Sequence, residues 1–96
     1  MTINEFKSSV KEKSPPDGLN DMLKALWHDA KGEWDKAHKI AQEINNSSGS
    51  LVHAYLHRKE GDLSNASYWY TKAGRMMPKV SLPEEWNQLV EEMFLK

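Results

Sequence analysis

The strongest constraint on this chain is a pattern that it carries twice. ALWHDAKGEWDKAHKIAQEI, from Ala25 to Ile44, aligns with AYLHRKEGDLSNASYWYTKA, from Ala54 to Ala73, at an offset of 29 residues. Over these 20 positions Ala25/Ala54, His28/His57, Gly32/Gly61 and Ala37/Ala66 are identical. Ordinary residue frequencies give about one identity by chance. Other pairs exchange like for like: Glu33/Asp62, Trp27/Leu56 and Trp34/Leu63. A glycine followed by an acidic and an apolar residue, with alanine on either side, reads as helix, tight turn, helix. The alanines mark where the two helices of a hairpin come closest.

Apolar spacing extends this reading along the chain. Leu19, Met22, Leu23, Leu26, Trp27 and Ala30 form one stripe of a helix, and Trp34, Ala37, Ile40, Ala41 and Ile44 form a second. Asn45 to Ser50 is a loop signal, with Ser50 the expected N-cap of a third helix carrying Leu51, Ala54, Tyr55 and Arg58. Asp62 caps a fourth, with Leu63, Ala66, Trp69, Tyr70 and Ala73, which Gly74 and Pro78 end. Ser81 and Glu84 have capping-box spacing before a fifth, with Trp86, Leu89, Val90, Met93 and Phe94. Residues 1–16 are expected as a short helix or a disordered segment, since Thr2 and Glu5 also have capping-box spacing but Ser14-Pro15-Pro16-Asp17-Gly18 stops any helix. Residues 17–96 are expected as one helical domain. No segment alternates with period two, so the expected class is all-α.

Composition removes several functions. Thirteen Lys and Arg against 14 Asp and Glu leave a net charge of −1, whereas nucleic-acid-binding domains carry a basic excess. No apolar run approaches the roughly 20 residues that cross a bilayer, so neither nucleic acid nor membrane is an expected partner. With no Cys, thiolate zinc sites and cysteine nucleophiles are excluded. MTINEFKSSVKEKS is charged throughout, unlike a secretory leader, and a cytoplasmic location is expected. The apolar fraction of 39% is modest, and four Trp, one on nearly every helix, read as scaffold that builds a core from few residues.

Gly61-Asp62-Leu63, preceded by Ala54 and followed by Ala66, Tyr70, Ala73 and Pro78, resembles the tetratricopeptide repeat. Ala25, Gly32-Glu33-Trp34 and Ala37 resemble it in the first unit, although Gly49 stands where the family ends its helix with proline and the offset falls short of the family's 34 residues. The string HAYLHRKEGDLSNASYWY also resembles a set of small uncharacterised bacterial proteins. The family resemblance implies two stacked antiparallel hairpins with a C-terminal capping helix over residues 82–95, residues 1–13 covering the other end. It also implies a concave surface lined by the first helix of each hairpin: Leu19, Met22, Leu26 and Asp29 from one, and Leu51, Tyr55, Arg58 and Lys59 from the other. Leu51 and Tyr55 occupy positions where the family's carboxylate-clamp form has Asn and Lys, so capture of a peptide C-terminus is not expected. The implied function is an adaptor holding a helix or an extended protein segment in an apolar, aromatic groove. Self-association as a homo-oligomer is the alternative, because two hairpins bury little apolar surface alone.

Two clusters outside the groove carry candidate chemistry. In Tyr68-Trp69-Tyr70, successive side chains point about 100° apart, so Trp69 and Tyr70 belong to the apolar stripe and Tyr68 lies at its edge, a candidate partner contact. His53 and His57 share one helix face at i,i+4, a spacing that suits two metal ligands, with Glu60 or His28 as a candidate third. His57 repeats His28, which also fits a packing role in both hairpins. No nucleophile–base pair, Walker motif or GxSxG elbow is present; neither enzymatic activity nor a cofactor is expected.

Overall fold

Six helices make up the computed structural model, which describes residues 1–96: α1 (Ile3–Ser9), α2 (Asp21–Ala30), α3 (Trp34–Gln42), α4 (Ser47–Glu60), α5 (Leu63–Lys72) and α6 (Leu82–Phe94). Side-chain caps start five of them. Thr2, Asn20, Asn46, Asp62 and Ser81 each accept a hydrogen bond from the backbone N–H three residues on, filling donors that a helix N-terminus leaves free. Only α3 begins without one, on Glu33. There is no strand, so the fold is all-α, and no helix is long and apolar enough to cross a membrane.

The sequence repeat reappears as repeated turn geometry. The N–H of Gly32 donates to Asp29 O and that of Glu33 to His28 O; 29 residues on, Gly61 donates to Arg58 O and Asp62 to His57 O. This is the bonding of a Schellman motif, which needs a left-handed residue after the helix. Gly32 and Gly61 supply it, with φ of +81° and +88°, a region that disfavours residues with a Cβ.

These turns fold α2 onto α3 and α4 onto α5, while α3 packs on α4. The result makes α4 the central helix. Its ten residues from Ser48 to His57 are all buried, polar ones included, as expected for a helix with neighbours on every side. Its N-terminus corrects the sequence reading: Asn46, not Ser50, is the cap, and Ser50 lies buried within the helix. Gly49 explains the early start. A Cβ there would collide with the backbone and side chain of Ile44, so only glycine lets the first turn of α4 lie against the end of the preceding segment.

The C-terminal helix goes elsewhere than expected of a cap. It lies across α2 and α4, the first helices of the two hairpins, and meets α5 through Tyr70, whose hydroxyl donates to Glu85. Trp86 Nε1 donates to Leu26 O at 3.0 Å, and Asn20 Nδ2 donates to Met93 O at 3.0 Å. The N-terminal segment takes the helical alternative and joins α6 on the same side: Phe6, fully buried, stacks on Trp86 and meets Phe94 edge-on. The two terminal helices therefore do not close opposite ends of a stack. Both lie on the side where α6 covers α2 and α4.

Candidate metal centre

At 100° per residue, His53 and His57 lie about 180° around α4 from Tyr55. One face of the helix thus turns toward α2 and α6, the other toward α3 and α5. On the second face three imidazoles meet. His53 Nε2 is 2.9 Å from His38 Nε2, the ring centroids of His53 and His57 are 4.8 Å apart and those of His38 and His57 5.0 Å apart. One ligand nitrogen from each of the three lies within 4.8 Å of the others.

The third histidine differs from either candidate that the sequence offered. His38 comes from α3, one turn after Trp34, and reaches the site because α3 packs on α4. His28 instead faces the first hairpin turn, where its Nδ1 lies 2.8 Å from Glu33. Glu60 is close but bonds the imidazole: His57 Nδ1 lies 2.6 Å from Glu60 Oε1. A carboxylate on one ring nitrogen fixes the tautomer and leaves the other nitrogen as a lone-pair donor.

Two of the four tryptophans form the walls of this site, a role beyond scaffold. Trp34 stacks on His38 at 4.8 Å between centroids and is anchored by its Nε1 donating to Leu56 O. Trp69 stacks on His53 at 4.0 Å. These rings and the surrounding helices take the imidazoles out of water. Burial is the main reason that His53 titrates far below the ordinary histidine range, at about 4, with the nearby His38 and His57 adding to the effect. His38 is lowered too, first by burial and then by His57, against the opposing carboxylates of Glu60 and Asp35. Near neutral pH His53 and His38 are therefore uncharged, the form in which imidazole binds a metal.

The residues fit a divalent transition ion. Three ligands at a Zn–N distance of about 2.0–2.1 Å in a tetrahedron stand about 3.3 Å apart. The His38–His53 pair, at 2.9 Å, must open by a few tenths of an ångström, and the pairs with His57, all within 4.8 Å, must close by up to about 1.5 Å to reach that spacing. An all-imidazole set selects zinc, copper or nickel over magnesium and calcium, which prefer oxygen.

The residues assigned to a partner groove are placed quite differently. Leu26, Leu51 and Tyr55 are buried, at 0%, 4% and 2% exposure, and Met22 is half-buried against the core. Arg58 donates to Glu85 of α6 at 2.7 Å and to Val80 O, and Lys59 donates to Asp29 at 2.8 Å. α6 lies over these residues, and what stays open beside it is a cavity lined by Asp29, Tyr55, Lys59, Leu82 and Trp86. Tyr68 is the exception and is exposed, while Trp69 is half-buried and Tyr70 buried, as the 100° step requires.

His38 escaped the sequence reading because its distance of 15 residues from His53 spans a loop. Its spacing from Trp34, a ring four residues earlier on the same helix face, was the available signal. Comparison with known proteins finds no matching family model, no matching curated relative and no matching solved structure.

Proposed function

We propose that this protein binds a divalent transition-metal ion of the zinc class through His38, His53 and His57. The observation that carries the reading is the convergence of three imidazoles from two helices, with ligand nitrogens within 4.8 Å and a carboxylate supporting His57. A purely structural role accounts less well for this arrangement. Packing is served by apolar rings, and removing three imidazoles from water carries a penalty that a metal offsets. Zinc titration of tag-free protein, followed by calorimetry and by metal analysis after gel filtration, tests it. One equivalent is expected to remain bound to the wild type and to His28→Ala, and to be lost from His38→Ala, His53→Ala and His57→Ala. Equal retention by all five proteins, or no retention by the wild type, would refute it.

A second reading, protein–protein interaction in the manner of the tetratricopeptide arrays that the repeat resembles, draws on a different observation. α5 packs mainly on α4 and exposes Leu63 and Tyr68, on the side where a further hairpin would sit in such an array. A protein segment or a second copy of the chain is the occupant under this reading. Sedimentation at micromolar concentration, with Tyr68→Ala beside the wild type, tests the second copy: an 11.1 kDa species in both removes self-association.

A further inference from the structure

A tetrahedral ion requires four ligands, and this chain brings three. The nearest carboxylates, Glu60 and Asp62, gather at His57, and Asp62 is held as the cap of α5 by accepting from Asn65 N–H. Glu60 is engaged with His57 Nδ1, His28 with Glu33, and the Trp34 indole, which can only donate, is committed to Leu56 O. No cysteine exists anywhere in the chain. Structural zinc sites are closed by four protein ligands, whereas sites with three keep a position for a molecule from outside.

The site has a direction from which such a molecule can arrive. His53 and His57 are buried, at 5% and 6% exposure, while His38 is half-buried and forms the edge nearest solvent. The indoles of Trp34 and Trp69 stack on His38 and His53 and flank this edge. Electrostatics favours an anion. Imidazole ligands bring no negative charge to a divalent ion, and Lys72 sets its ammonium 5.0 Å from the Trp69 ring centre.

We infer that an ion held by His38, His53 and His57 keeps one coordination position for an exogenous ligand, water or a small monoanion, that enters past His38. The inference rests on the metal-binding reading and adds to it that the centre is an open, ligand-exchanging one and not a closed structural staple. It also defines the chemical class that the centre recognises: small donors with an available lone pair, bound directly to the metal.

Cobalt(II) distinguishes the two levels, because its visible absorption reports both binding and coordination. The full-length protein is loaded with cobalt, its spectrum is recorded, and sodium azide is then titrated in. Expected are visible bands in the wild type and in His28→Ala, none in His53→Ala, and a saturable shift of the wild-type bands with azide through isosbestic points. Wild-type bands that do not move at saturating azide would overturn the open position while leaving metal binding intact. Absence of bands in the wild type would overturn both. Loss of the metal on adding azide, seen as the spectrum of free cobalt, would also overturn the open position. The azide titration is made on the wild type, so it stands whether or not the His53 variant folds.

Discussion

The two faces of α4 solve the same problem in opposite ways. Toward α2 and α6 lie two buried carboxylates, each held by a tyrosine hydroxyl and a cation: Asp29 by Tyr55 and Lys59, Glu85 by Tyr70 and Arg58. Toward α3 and α5 lie three imidazoles, with one carboxylate, Glu60, at the margin. On the first face the charges cancel, and burial beside the carboxylates pushes both tyrosines well above their ordinary range. On the second face the groups are bases, of which His38 and His53 are held toward the neutral form mainly by burial, and they converge without a shared counter-ion. The difference separates polar burial that completes a fold from polar burial that leaves lone pairs available to a ligand.

Breaking the closed face should have the largest effect. Glu85→Ala removes the acceptor from both Arg58 and Tyr70, and truncating one member of a buried pair costs about 3–5 kcal/mol; urea unfolding measures it. Zinc should leave that loss untouched. On the other face the order reverses: ligand present at about 100 times its Kd should stabilise the wild type by about 2.7 kcal/mol. A His53→Ala variant should show no such gain in thermal unfolding with and without zinc. Removing the carboxylate behind His57 sharpens the comparison, since supporting groups of this kind are worth about 10–100-fold in metal affinity. Glu60→Gln should weaken zinc binding by that factor in calorimetry and still leave one site.

Acid provides the mildest test. His53 is held at about 4 when folded, below an unfolded histidine at about 6.5. Between those values the unfolded chain takes up more protons, so stability contributed by neutral His53 is complete above about pH 6.5 and is lost as pH falls toward 4. His38, also lowered, adds in the same direction. The melting temperature of the metal-free protein should decline across this window. His53→Gln should flatten the decline, and an unchanged slope would show that the imidazoles are not held neutral by the fold.

Local signals carried most of the fold. Gly32 and Gly61 marked both hairpin turns because a left-handed residue after a helix is a requirement of the backbone itself, independent of what packs nearby. The caps at Asp62 and Ser81 were legible for the same reason. The start of α4 was not, because it depends on Gly49 meeting Ile44, a contact that exists only after the chain has turned. The destination of α6 was equally hidden. Its stripe of Trp86, Leu89, Val90 and Met93 announces an apolar face, but the preference for α2 and α4 over α5 is settled by partners such as Arg58 and Asn20. The site shows the same division. His53 and His57 share one helix and were found by spacing, while His38 joins them only through the packing of α3 on α4.

The bond from Asn20 to Met93 joins residues 73 positions apart, and its consequence is kinetic. The two hairpins depend on contacts close in sequence and can form early, whereas the face shared by α2 and α4 stays uncovered until α6 arrives. The cover that α6 places over Leu26, Leu51 and Tyr55 thus rests on the contacts most distant in sequence.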